Sequence, residues 1–255
     1  MISHSIQELK KSIPPEKMKN DALWVSKVVR YPSFYLSLFF LKINWSANHV
    51  SYFSAIWAVL SCILLILPSH VFRIMGALAV NFWIFLDCAD GNIARVSQHK
   101  SRFGEFADAT SGYILMAYVY LAMGITAIFE PKISWIVLQS HWIVLISAFS
   151  SVTNLLARLI HHKLLEALHH DEYYSFSGSH TESNSNLVTK ATFFVWKNVD
   201  VSGFFMPLLL LAVFFQITIF MVLTYALFNF FTASISILLC IRKAQKLDYK
   251  DHLLR

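Results

Sequence analysis

The stretch Asn81–Gly112 reads NFWIFLDCADGNIARVSQHKSRFGEFADATSG, and its reading decides the fold. An apolar run that begins at Val71 continues through it to Leu86, where it meets acids instead of ending. Asp87 and Asp90 therefore stand in or beside an apolar span, where an unpaired carboxylate costs at least ~2.5–3.5 kcal/mol. Such residues by default mark a functional site. On a helix turning about 100° per residue, Asp90, Ala94, Asp87, Gly91 and Arg95 share one face. A second helix beginning near Gly104 puts Ser111, Gly104, Asp108 and Gly112 on one face in the same way.

Outward from this stretch, the whole chain reads as membrane-embedded. Of its 255 residues 56% are hydrophobic and only 14% charged, against about 25% charged in a soluble domain, and the mean hydropathy is +0.54. This composition excludes a soluble domain, a disordered chain and a disulfide-stapled module. Four windows, Ile43–Phe72, Gly112–Phe129, Ile133–Ala157 and Val201–Ile241, contain no Asp, Glu, Lys or Arg. A span needs about 20 apolar residues, so the first three hold one helix each and the last holds two, joined near Gln216–Ile219. With the run from Val71 that makes six, over about 47–67, 71–95, 104–129, 133–158, 201–217 and 219–241. The segment 31–43 follows Pro32, is too short to span, and reads as an interfacial helix carrying Phe34, Tyr35, Leu36 and Phe39.

The fold expected is an all-α polytopic membrane protein with six transmembrane helices behind an N-terminal interfacial helix. Residues 1–30 form an N-terminal segment, 44–241 the six-helix domain with a loop at 159–200, and 242–255 a basic tail. Nineteen of the 21 Lys and Arg residues fall in the N-terminal region, the 2–3 loop, the 4–5 loop and the tail, leaving Arg73 and Lys132 on the other side. The positive-inside rule then puts both termini and the acid-bearing loop in the cytoplasm. The net charge of +6 is explained by topology and contact with anionic membrane lipids, so a nucleic-acid partner is not required. Cys62, Cys88 and Cys240 lie far apart in apolar stretches and read as small buried hydrophobes. The polar N-terminus has no apolar core of a cleavable signal peptide.

Three hard oxygen ligands on facing helices, small residues between them and an Arg at the rim suit a divalent cation together with a phosphate. Mg²⁺ and Mn²⁺ prefer carboxylate and phosphate oxygens. Glycines let an anionic group approach the backbone, and an Arg pairs bidentately with phosphate.

These residues resemble the CDP-alcohol phosphotransferases (CDP-alcohol phosphatidyltransferases), whose signature is D-x2-D-G-x2-A-R-x8-G-x3-D-x3-D. Asp87, Asp90, Gly91, Ala94, Arg95, Gly104 and Asp108 match it in spacing, and the last Asp is Gly112 here. The resemblance extends more weakly to the six-helix plan and the Asn48–Ser51 entry to the first span, and is silent on 159–200. It implies metal-dependent transfer of a phospho-alcohol group from a CDP-alcohol to an acceptor hydroxyl with release of CMP, in phospholipid or related phosphodiester synthesis. Asp87, Asp90 and Asp108 would hold Mg²⁺ or Mn²⁺ on the diphosphate. Gly91, Ala94 and Gly104 would shape the nucleotide slot and Arg95 would neutralise phosphate charge. Dimers are usual in the family, which leaves homodimerisation open.

In the family the fourth acid serves as the base for the acceptor alcohol. At Gly112 that role falls to Asp108, to hydroxide on the metal, to a group on the acceptor, or to Glu105. A catalytically impaired member that still binds CDP-alcohol is the alternative reading, and an ion- or proton-coupled transporter a further one. Arg158 reads either as a ligand for a phosphate or carboxylate of the acceptor or as a snorkelling residue that sets topology. His162, Glu166 and His169 share a helical face, which admits a zinc site or a wet interfacial helix. The polar, low-complexity run from Tyr174 to Asn186 reads as a loop.

Overall fold

The computed structural model describes residues 5–98, 102–133, 136, 138–167, 194 and 196–253, with the backbone alone at 102, 165–167 and 246–253. Short helices α1 (Ile6–Lys11) and α2 (Pro15–Asn20) lead through a π-helical turn at Val25–Val29 into α3 (Arg30–Lys42). There follow α4 (Ala47–Leu65), α5 (His70–Val96), α6 (Arg102–Ile128) and α7 (Ser140–Ala167). A second π-helical turn at Val201–Phe205 opens α8 (Met206–Phe214), and α9 (Thr218–Leu253) is the last helix. Among the described residues there is no strand.

Six helices are long and apolar enough to cross a bilayer: Ala47–Leu65, His70–Val96, Phe103–Ile128, Ser140–Leu164, Trp196–Phe214 and Thr218–Gln245. Ile56, Leu60, Leu78, Leu145, Val152 and Leu238 are exposed on their outer surfaces, an arrangement that lipid favours and water penalises. The chain is an all-α polytopic membrane protein. Two helices run further than the charge-free windows suggest. α7 begins at Ser140 and continues to Ala167, into the stretch expected as a loop. α9 runs unbroken to Leu253, because its sequence offers neither Gly nor Pro to stop it at the lipid boundary.

The helix ends are set locally. Ser46 starts α4 with a capping box closed by His49, a device worth about 1 kcal/mol. Asn44, Gln98 and Gln216 stop helices in left-handed conformation, with φ of 59°, 53° and 57°. At Asn44 the stop is a Schellman motif: Trp45 N donates to Phe40 O at 2.9 Å and Asn44 N to Leu41 O at 3.1 Å. Its hydrophobic contact is the stacking of Trp45 on Phe40, ring centroids 5.2 Å apart. Gln216 repeats the pattern through Ala212 and Val213.

Transmembrane helices pack through small residues that let backbones approach. α4 lays Ser51, Ser54, Ala58 and Ser61 against its neighbours, all buried, and contacts both α5 and α6. Gly76 is required where α5 crosses the end of α4, since a Cβ there would meet Leu65 N at 2.6 Å. α5 and α6 are the inner helices, 56% buried over their apolar windows, whereas α7 and α9 are 28% buried. α5 and α6 are also the helices that carry Asp87, Asp90 and Asp108.

Candidate active site

Asp90 is buried at 3% exposure and is held by the Gly91 backbone and by a hydroxyl of α4. Ser51 Oγ of α4 donates to its Oδ2 at 2.7 Å. Asp87, three residues earlier, is half-buried, and Asp108 of α6 is exposed. The three carboxylates lie within electrostatic reach of one another. Asp87 and Asp108 have no hydrogen bond or ion pair among the residues whose side chains are described. Hard oxygen donors left without protein partners, across two facing helices, fit a divalent cation in chemistry. In this conformation the described His, Cys, Asp and Glu side chains do not close into a group of three around a common point.

Arg95 folds back over Gly91. A Cβ at Gly91 would stand 3.1 Å from Arg95 Nη1 and 3.3 Å from Nη2, so the guanidinium occupies room that any side chain at 91 would contest. Its Nη2 donates to Asn92 Oδ1 at 2.8 Å, while Nε is buried without a partner among the described residues. Asn92 faces the other way with its amide, donating to Ser33 Oγ at 3.1 Å and Ser37 Oγ at 3.2 Å of α3. The interfacial helix thereby holds the residue that orients Arg95.

Below the acids, Ser111 of α6 joins three helices. Its Oγ lies 2.6 Å from Ser54 Oγ of α4 and accepts from Trp83 Nε1 of α5 at 3.0 Å. The next residue, Gly112, is half-buried and borders open space: beyond its own helix backbone, a Cβ built there meets no atom of the described residues within 4 Å. Tyr113, beyond it, lies within electrostatic reach of Arg158 and packs edge-on to His162 at 5.8 Å.

Arg158 is tied into the bundle. Its Nη2 donates to Asp200 Oδ2 at 2.9 Å and its Nε to Asn154 Oδ1 at 3.3 Å. Asn154 continues to Asn229 at 3.1 Å, and Asn229 to Ser150 at 2.8 Å. The Arg158 side chain remains 29% exposed, so one flank stays open beside Tyr113. Ala94 and Gly104 are half-buried on the acid-bearing helices. Glu105 is exposed and lies within electrostatic reach of Asp108. The Glu166 side chain and His169 lie outside the described residues, as does the run from 174 to 186.

Sequence reasoning did not single out Asn92, Ser33, Ser37 or Asp200, and it placed Ser111 on the acid-bearing face and Ser51 at the entry to the first span without finding the partner of either. Serines recur at helical spacing on one face of α4 and of α3, a pattern that signals close packing but not which carboxylate a hydroxyl will meet.

A family model described as CDP-alcohol phosphatidyltransferase matches residues 44–242, more than three quarters of the chain. No curated protein matches it. The matched region begins just before α4, takes in five spans, all but the last three residues of the sixth and both acid-bearing helices, and so the chain belongs to the CDP-alcohol phosphatidyltransferase family.

Proposed function

We propose that the chain transfers a phospho-alcohol group from a CDP-alcohol to an acceptor hydroxyl, with release of CMP, in the synthesis of a phospholipid or related phosphodiester. The family acts generally on CDP-alcohols and is generally divalent-metal dependent. The observation that carries the reading is the gathering of Asp87, Asp90 and Asp108 from two helices, with Arg95 folded over Gly91 at their rim.

Asp87, Asp90 and Asp108 would hold Mg²⁺ or Mn²⁺, which when bound neutralises diphosphate charge and stabilises the leaving CMP. Ser51, donating to Oδ2, helps to fix the orientation of the buried Asp90 carboxylate. Arg95 offers its unpartnered Nε to a phosphate oxygen. Gly91, Ala94 and Gly104 keep the slot for the nucleotide narrow but open. The acceptor oxygen attacks the phosphorus that bears the donor alcohol, the bond from that phosphorus to the CMP oxygen breaks, and CMP leaves with the electron pair. Asp108, exposed on α6, takes the acceptor proton. Arg158, braced by Asp200, offers its open flank to a phosphate or carboxylate of the acceptor.

The charge asymmetry supports a cytoplasmic orientation for both termini and this site. A second reading, an impaired member that binds CDP-alcohol without turnover, is favoured by Gly112 and the empty space at its Cα. Purified protein in lipid with Mg²⁺ or Mn²⁺, screened with CDP-alcohols against an acceptor panel, separates the two. CMP release supports transfer. Metal-dependent binding without CMP release supports the impaired reading, and no binding of any CDP-alcohol overturns both.

A further inference from the structure

The N-terminal segment before α3 is anchored at two places. At one end Leu9, fully buried, and Ile13 pack with Phe34 of α3 and against Val96, the residue after Arg95. At the other end Leu23 N donates to Asn198 Oδ1 at 2.6 Å, and Lys197 Nζ donates to Lys19 O at 3.1 Å. Asp21 pairs with the buried Arg30, whose Nε donates to it at 3.0 Å. The segment therefore runs as a strap from the cytoplasmic end of α5 to the start of the fifth span. Between its anchors lies α2, none of whose residues is buried.

Lys17 stands in the middle of α2. It lies within electrostatic reach of Asp87, Asp108 and Arg95. It forms no ion pair within 4 Å among the described residues. Crowding by the bundle pushes its ammonium below the usual lysine value, with Arg95 and Arg30 acting in the same direction and Cys88 and Asp87 opposing. A cation within electrostatic reach of carboxylates that a metal ion is to occupy is repelled by that ion unless an anion joins them. A diphosphate diester, with two negative charges, is such an anion.

We propose that the strap is the cytoplasmic wall of the donor site and that Lys17 binds the diphosphate of the CDP-alcohol from that wall. The inference rests on the function proposed above and adds to it a binding residue outside the matched region 44–242. It gives Lys17 opposite effects on the two ligands. Removing its charge takes a like charge away from the metal and a counter-charge away from the donor.

The test uses CDP as probe, since it carries the diphosphate common to all donors, and Mn²⁺ followed by its spin signal. The full-length protein in lipid nanodiscs is compared with Lys17→Ala and Lys17→Arg. Lys17→Ala should weaken CDP binding at saturating Mn²⁺ by about tenfold, as loss of one charge-assisted contact does, while Mn²⁺ alone binds as well or tighter. Lys17→Arg should restore CDP binding to within about threefold of wild type. A structural role would move both ligands in the same direction, which overturns the inference. So does equal CDP binding by Lys17→Ala in a wild-type protein that binds CDP with Mn²⁺. Absence of CDP binding in the wild type refutes the proposed function itself, and the inference with it.

Discussion

Replacing Gly112 by Asp restores the signature's last acid, and the structure lets its cost be worked out beforehand. Beyond its own helix backbone, a Cβ at 112 meets no atom of the described residues within 4 Å, so no overpacking arises. Glycine inside a helix is about 1 kcal/mol less favourable than Ala, and Asp somewhat less so, which returns a few tenths. Against this, a like charge four residues from Asp108 costs about 0.2–0.5 kcal/mol. The two nearly cancel, and the cost that remains is that of a carboxylate at the edge of an apolar span, up to ~2.5–3.5 kcal/mol without a counter-ion and less with a metal bound. The effect that tests the reasoning is read in chemistry. The new carboxylate lies one turn, about 6 Å, beyond Asp108 on the same face, where a general base typically contributes 10²–10⁴-fold. CMP release with a generic alcohol acceptor should rise by up to that factor, while CDP affinity in Mn²⁺ changes little. Fast wild-type turnover that the Asp lowers would refute the reasoning, and would show that the open space at 112 belongs to the acceptor.

Asp87→Ala, Asp90→Ala and Asp108→Ala should each abolish divalent-dependent CDP binding, and chelator should mimic them; equal binding in chelator contradicts the metal-bridged site. Ser51→Ala, which removes the side-chain hydrogen bond to Asp90, should weaken Mn²⁺ affinity by about 10–100-fold, and unchanged affinity would show that Asp90 needs no such support. Cysteines placed at Ser101 or Ser185 should react with impermeant reagents only from the cytoplasm; labelling from outside intact cells reverses the topology. On the opposite face, burial holds the Glu130 carboxyl above its usual value even though Thr218 N donates to it at 2.7 Å. A folded-state value above the unfolded one means that the native state binds more protons, so this contribution is complete below the unfolded value and is lost as pH rises through the folded one. Melting temperature against pH should flatten over that window in Glu130→Gln, and an unaltered profile would remove Glu130 as its source.

Much of this molecule is legible in one dimension, because the constraints involved act locally. A bilayer admits only helices long enough to cross it with every backbone group satisfied. Charge-free windows therefore disclose five of the six spans and the apolar run from Val71 the other, and the spacing of Asp87, Asp90, Arg95, Gly104 and Asp108 discloses which residues share a helical face. Stops are legible only in part. Asn44 and Gln216 end their helices where the apolar runs break, but α7 and α9 outrun the lipid boundary because hydropathy marks where lipid ends and not where backbone hydrogen bonding does.

Tertiary structure alone decided what each charge meets. Asp90 lies against Ser51, thirty-nine residues away, and Arg158 against Asp200, forty-two away; no helical period links either pair. Gly91 and Gly112 are the same residue in sequence, yet one accommodates the Arg95 guanidinium and the other borders open space. The N-terminal segment, polar and bland as a string, becomes a strap only because Leu9 and Leu23 find Phe34 and Asn198. Helical periodicity is a property of neighbours along the chain, whereas the field at a carboxylate is set by whichever groups the packing of helices brings within a few ångströms.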